Sequence, residues 1–419
     1  MSSWKEYKLG EIATFYNGRA YKNTEFKVSG TPIVRIQNLT GEGKIVYSDL
    51  NLDENKYIDY GDLIYAWSAT FGPYIWKGEK SIYHYHIWKI ICNEELLDKK
   101  YFYYKLKQIS DNLKDSGGNG SIFVHITKAF MENFKVKIPS LNEQKRVSSI
   151  LAYLDEKIQL NTQINQTLEQ IAQTIFKSWF IDFDPVHAKA NALASGQTTE
   201  QATQAAMTVI SGKNTQELHR LQTANPEQYQ QLWEIAEAFP SGFDEEGVPR
   251  GWEERYLKDV CNIVYGKGLP KNKLTEKGFY VFGANGVIGF YDSYTYEKPQ
   301  VLIGCRGTVG QVTLSYPYSF VTNNSLVIEY ENSCVSMYYL EKYLSNINLK
   351  EISSGSVQPQ ITIQNMSKVK ILIPNIEILN FYSEKVKEIY DKRLNHFYEN
   401  QSLSKVRDLL LPKLLSGEV

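Results

Sequence analysis

Cysteine is scarce in this chain, and what there is does not cluster. Four cysteines (92, 261, 305 and 334) are spread over 419 residues, and no two stand at the Cys-x-x-Cys spacing of a zinc clasp or redox pair. A reduced, cytoplasmic protein is expected. No run of about 18 apolar residues exists, so no helical membrane span is expected. The first residues, Met-Ser-Ser-Trp-Lys-Glu-Tyr-Lys, lack the apolar core of a secretory signal. There is no Pro-Pro pair, which removes the Asn/Asp-Pro-Pro-aromatic loop that an amino-methyltransferase needs to hold its target amine. No Gly-x-x-x-x-Gly-Lys-Ser/Thr phosphate loop is present, nor a Gly-x-Ser-x-Gly nucleophile elbow. An excess of one charge is missing too, since 46 basic residues stand against 47 acidic ones.

That balance hides a division. Residues 1–140 carry 19 basic and 16 acidic side chains, and 251–374 carry 12 and 10. Residues 181–250 carry 4 and 10. One acidic stretch therefore masks two mildly basic regions, which is compatible with nucleic-acid binding in which a partner supplies much of the phosphate contact.

What is present is a duplication. Trp4, Leu9, Ile12 and Gly18 recur 248 positions later as Trp252, Leu257, Val260 and Gly266. Val34-Arg-Ile-Gln-Asn38 is matched to Val281-Phe-Gly-Ala-Asn285. Thr70, Gly72 and Ser81 recur 238 later as Thr308, Gly310 and Ser319. Gly120, Ile126, Met131 and Pro139 recur 235 later as Gly355, Ile361, Met366 and Pro374. Four blocks in one order mean two copies of one domain. In each copy short β-branched and aromatic runs, such as Leu63-Ile-Tyr-Ala-Trp67 and Gln300-Val-Leu-Ile-Gly304, predict strands. A helix is predicted near 97–115 and again near 336–350. Gly18, Gly266, Gly72 and Gly310 are expected as turn glycines with positive φ.

After each Ile-Pro comes a heptad seam. In the first it runs Val147, Leu151, Leu154, Ile158, Asn161, Asn165, Leu168, Ala172, Ile175, Trp179. In the second it runs Tyr382, Val386, Ile389, Arg393, His396, Asn400, Leu403, Arg407, Leu410, Leu414. Steps of four and three predict two long helices that pair antiparallel, with polar seam positions fixing register. About 39 residues would extend about 58 Å, enough to space two readers of separated sites, one DNA turn being about 34–36 Å. On the seam periodicity alone, a generic coiled-coil dimerisation arm is the preferred reading. The expected class is α+β: two similar β-rich domains and two long antiparallel helices. The boundaries are 1–140, 141–180 (helix), 181–250 (acidic, partly helical linker), 251–374 and 375–419 (helix).

The helix ends resemble the specificity subunits of type I restriction–modification systems. Thr174-Ile-Phe-Lys-Ser-Trp-Phe-Ile-Asp-Phe-Asp-Pro185 is similar to that family's central conserved region. Leu409-Leu-Leu-Pro-Lys-Leu-Leu-Ser-Gly-Glu418 is similar to its distal one, and Phe239-Pro-Ser-Gly-Phe243 with Pro249-Arg-Gly-Trp252 to its lead into the second target-recognition domain. The resemblance implies a non-catalytic DNA-binding subunit whose two domains each read half of a bipartite site. It also implies two methyltransferase subunits and two restriction subunits as partners, with S-adenosylmethionine, ATP and Mg²⁺ bound by them and no cofactor here.

Bidentate amides and guanidiniums read bases, while Lys, Ser and Thr hold phosphates. The DNA-contact candidates are Asn17, Arg19, Lys22, Arg35, Gln37, Asn38, Ser68, His84, Asn119 and Ser121 in the first copy. In the second they are Lys267, Lys271, Asn285, Arg306, Thr308, Asn323, Asn324, Ser356, Gln358 and Gln360. His84-Tyr-His86 has a metal-ligand spacing but no third ligand nearby, so DNA contact or packing is the preferred reading. Asp155-Glu-Lys157 mimics part of a nuclease site, but its two acids do not share a helix face. A fused nuclease or methyltransferase, and a scaffold with no DNA role, are the competing classes.

Overall fold

The computed structural model describes residues 4–41, 43–68, 71–116, 126–355 and 358–418. It divides into two compact units, Met1–Thr162 with Phe397–Val419, and Gln163–His396.

In the first unit a four-stranded antiparallel sheet runs in the order Ala13–Asn17, Ile87–Cys92, Leu63–Ala66, Gly72–Ile75. A second sheet runs Val46–Ser48, Thr31–Val34, Ser81–Tyr83, Tyr57–Ile58, with its two inner strands parallel. Lys5–Lys8 pairs with Lys135–Ile138, so the domain opens and closes on one ribbon. The helix Lys99–Ser116 lays Tyr101, Phe102, Leu106 and Ile109 into the core beside Phe15, Tyr65 and Trp88.

The second unit repeats this plan with one strand fewer in its smaller sheet. Asn262–Tyr265, Ser325–Glu329, Val301–Gly304 and Val312–Leu314 form its four-stranded sheet. Gly286–Tyr291, Phe279–Gly283 and Phe320–Val321 form the other, again with one parallel pair. Glu253–Tyr256 closes on Lys370–Ile373. The register is the same: Lys5 faces Ile138 and Glu253 faces Ile373, at the 248 and 235 offsets read from the sequence. The helix expected near 336–350 is shorter, Met337–Ser345, and ends at Asn346.

Two readings change. The His84 amide bonds to the Val34 carbonyl, and the Thr322 amide to that of Phe282. Val34 therefore corresponds to Phe282 rather than Val281, and beyond it the copies diverge, a helical turn at Ile36–Leu39 against a hairpin at Gly283–Gly286, so Asn38 and Asn285 are not counterparts. Identical letters suggested the other alignment, but the ladder fixes the register. Gly18 and Gly266 do not have positive φ, whereas Gly72 (155°) and Gly310 (81°) do. A Cβ at Gly18 would lie 2.2 Å from the His84 carbonyl oxygen, and one at Gly266 2.3 Å from that of Thr322. Glycine is needed there because two backbones touch.

The first long helix spans Leu141–Phe180 and the second Ile376–Ser416. Within the first unit they run antiparallel, Asp155 meeting Arg407 at 2.7 Å and buried Asn161 meeting Asn400 at 2.9 Å. Within the second unit Asn165 meets His396 at 2.9 Å, and Phe176 and Trp179 pack on Tyr382. Leu151, Leu154, Val386 and Leu414 are buried on the seam, and Ile158, Leu168, Ile389, Leu403 and Leu410 half-buried.

Between the domains in sequence lie the helices Asp184–Ala194, Thr199–Ser211, Thr215–Ala224 and Pro226–Ala238. The last three share a small core of Ala206, Met207, Leu218, Leu232 and Ala236. The buried Lys189 ammonium donates to the carbonyls of Ala236, Glu237 and Phe239, capping the last helix. None of the described helices is long and apolar enough to cross a membrane.

The glycine contacts can be tested. Gly18→Ala and Gly266→Ala should each cost at least ~2 kcal/mol, the usual penalty of overpacking where backbone must move. Gly268→Ala, with open space and no positive φ, should change stability by less than ~1 kcal/mol. Differential scanning calorimetry of the three variants checks this, and equal shifts would remove the close-approach explanation.

Candidate nucleic-acid interface

The backbone crossing at Gly18 organises a rim in the first domain. Arg19 bridges His84, donating its amide to the Tyr83 carbonyl, and the Tyr85 amide returns a bond to the Arg19 carbonyl. The Trp67 amide bonds to the His86 carbonyl, and its indole N–H to the Tyr85 carbonyl at 2.8 Å. Arg19 and His84 therefore meet at the turn, with Arg35 near enough to act on the His84 ring, while Asn17 directly precedes the Gly18 crossing and Ser68 follows Trp67 in sequence.

That turn carries rings. Tyr85 lies 4.4 Å from His84 and 3.8 Å from His86, centroid to centroid, and Trp67 lies 5.0 Å from His86. Tyr85 is 40% exposed. Burial, with the nearby His86 and Arg35, lowers the His84 pKa to about 4, so its ring is neutral at physiological pH. The Arg19 guanidinium is clamped on both carboxylate oxygens of Glu25, at 3.1 and 2.6 Å, and sits over the Tyr21 ring. Much of its charge is thereby answered within the protein. The Asn38 carboxamide is engaged inside its own loop, accepting from the Arg35 amide at 3.0 Å and donating to the Gly43 carbonyl at 3.3 Å. Gln37 and Lys22 are exposed, with no bond linking either side chain to the turn.

The second domain builds the same rim from other side chains. The Lys267 amide donates to Val321, and the Asn323 amide to Lys267. The Cys305 amide bonds to the Asn324 carbonyl. Arg306 reaches Gln360 at 3.3 Å, and Gln360 pairs with Ser354 through both backbone bonds. Asn285 sits at the tip of the two-residue hairpin between Gly283 and Gly286. The neighbouring Ala284 and Thr308 carbonyls crowd Gly304, so Thr308 and Asn285 border the same rim. Lys267, Asn285, Arg306, Thr308, Asn323, Asn324 and Gln358 are exposed. Lys271 opens a separate single turn, Lys271–Lys273. Asn119, Ser121 and Ser356 lie outside the described residues.

Sequence reasoning flagged His84-Tyr-His86 for its histidines but passed over the Tyr85 and Tyr21 rings, because it looked for hydrogen-bonding side chains. The aromatic density of Tyr83-His-Tyr-His86 was the available signal. Among the described residues no group of three or more His, Cys, Asp or Glu side chains could hold a metal. The Asp155–Lys157 triplet is occupied: Asp155 pairs with Arg407 and accepts from Tyr104, and Lys157 lies 3.5 Å from Glu399.

The class this geometry defines is a duplicated α+β protein, two heads of one topology with a differently decorated rim on each. The family follows from comparison. A model of the type I restriction modification DNA specificity domain matches residues 1–170 and 249–404, and the chain belongs to that family. The HindI specificity subunit of Haemophilus influenzae is 34% identical over 472 aligned positions, covering 100% of both chains. The MjaIX specificity subunit of Methanocaldococcus jannaschii is 24% identical over 342 positions, covering 76% of this chain and 68% of the relative. A crystal structure of a type I restriction–modification S subunit from M. genitalium matches at a TM-score of 0.57 and 15% identity, over 99% and 96% of the two chains, which bears on the fold alone.

The lowered pKa of His84 has a measurable sign. Its folded value lies below the unfolded 6.5, so the unfolded chain takes up the proton first as pH falls. Stability should decline from pH 6.5 towards 4 and lose no more through this group below that. Denaturation at pH 7 and pH 4.5 should show a smaller loss in His84→Gln than in the wild type. An imidazole titration midpoint near 6.5 for His84 by NMR would contradict the buried, cation-flanked environment.

Proposed function

We propose that each head reads one half of a bipartite, asymmetric duplex site on behalf of a type I restriction–modification complex. In this reading the chain performs no chemistry. Modification subunits dock on the long helices, restriction subunits join them, and S-adenosylmethionine, ATP and Mg²⁺ belong to those partners. The single observation that carries this is the pair of rims: one backbone path, held by the same amide–carbonyl bonds, presents Arg19, Ser68, His84 and Tyr85 in one head and Lys267, Arg306, Asn323 and Asn324 in the other. Identical frames with different polar faces are what two readers of different sequences require.

The helices are proposed to set the gap between half-sites. Forty residues correspond to about 60 Å of helix, well over one DNA turn of about 34–36 Å. The mild basic excess of each head fits a modest phosphate contribution, with the rest supplied by partner subunits.

Exchange of residues 1–140 for another recognition domain should alter one half of the target and leave the other unchanged, as read by methylome sequencing of cells expressing the complex. Insertion of one heptad after Ile158 should lengthen the gap in a folded, active complex. An unchanged gap would refute the ruler, and simultaneous change of both halves would refute the division of labour.

A further inference from the structure

The equivalence of the two rims sets residues of different chemistry in the same place. The offset of 238 that carries Leu63 to Val301 and Ile90 to Ile328 in matching ladders also carries Trp67 to Cys305 and Ser68 to Arg306. It carries His84-Tyr85-His86 to Thr322-Asn323-Asn324. The turn that is a cluster of tilted rings in one head is a pair of exposed carboxamides in the other.

We infer, building on the DNA-reading role above, that the heads use different recognition chemistries: the second reads purine edges through Asn323, Asn324 and Arg306, and the first reads thymine methyl groups through the Tyr85 ring cluster. The side chains of Asn323 and Asn324 are exposed, and their backbones are fixed by bonds to Lys267 and Cys305. A carboxamide on a fixed backbone offers the donor–acceptor pair that matches adenine N6 and N7. The Arg306 guanidinium is steadied through Nε by Gln360, which leaves both terminal nitrogens for the O6/N7 edge of guanine. Thr322 beneath them is 3% exposed and serves as floor.

The first head lacks that equipment at the same positions. Its cation, Arg19, is held by Glu25, and the Arg35 guanidinium donates to the Lys44 carbonyl at 2.7 Å. What projects from the turn is Tyr85, with its backbone bonded to Arg19 on one side and to the Trp67 indole on the other. Flanking rings restrict Tyr85 to few positions, so an apolar contact costs little ordering entropy. In the major groove the apolar group offered by a base pair is the thymine C5-methyl.

Base analogues test this in the intact complex of this chain with its modification subunits, once its target has been read by methylome sequencing. Replacing adenine or guanine by the 7-deaza analogue in the second half-site should weaken binding on the order of tenfold or more, and Asn323→Ala with Asn324→Ala, or Arg306→Ala, should abolish that sensitivity at one position each. Replacing thymine by uracil in the first half-site should weaken binding about fourfold, the worth of one buried methyl, and Tyr85→Ala should abolish that difference. Tyr85→Ala should leave the slope of affinity against salt unchanged, while Lys267→Ala should reduce it by about one. These are exposed rim residues, so thermal unfolding of each variant should match the wild type. A complex that binds its site with no response to any analogue, or whose variants alter the opposite half-site, overturns the inference while the reading role stands. A complex with no sequence preference overturns the reading role itself.

Discussion

Neither β-rich domain completes its own core, and the architecture follows from that. The first domain's cluster of Phe15, Tyr65, Trp88 and Leu106 includes Leu414 and Leu415, from the far end of the chain. A side chain at Gly417 would collide with the Trp4 ring, so the last residues of the second helix lie against the first residues of the domain. In the second unit Trp252 packs on Phe180 and Phe183, at the end of the first helix. Each head thus opens on a tryptophan that seats the end of the helix preceding it in a cyclic order. Two copies joined in tandem become mutually dependent, because each needs a helix end that only the other copy's helix supplies.

This dependence explains why the duplication was easy to read and the site was not. Trp4 and Trp252, Gly18 and Gly266, and the closing Ile-Pro segments are held by packing or by backbone contact that tolerates one residue type, so they recur. The seams are legible for the same reason, since burial of Leu151, Leu154, Val386 and Leu414 imposes the heptad. The rim obeys no such rule. Its backbone is fixed by main-chain bonds that any side chain permits, so Tyr85 and Asn323 can occupy one position with no shared letter between them. Matching by letters paired Asn38 with Asn285, yet Asn38 spends its carboxamide inside its loop while Asn285 stands on a hairpin tip. The role of Gly18 was equally hidden, because a short sequence distinguishes neither strand from turn nor positive φ from close approach.

Polar groups on the helix seam then select among pairings that apolar packing alone would allow. Buried Asn161 donates to Glu399 and Asn400, and Arg407 to Asp155, which in turn accepts from Tyr104 of the domain helix. In the second unit the corresponding charge sits elsewhere: Glu169 receives Lys342 and Arg393, while Tyr390 donates to Glu341. By the 235 offset Tyr390 replaces Asp155, so the two halves of the seam are not interchangeable. Sliding the second helix by one heptad would set Asn165 against Leu403 or Ile389 in place of His396. It would also separate Arg407 from Asp155, leaving a partly buried charge unpaired at a cost of several kcal/mol. Ion pairs of this kind add little net stability over an apolar seam. Their effect is to penalise the alternatives, and a chain made of two near-equivalent halves has more of those than most.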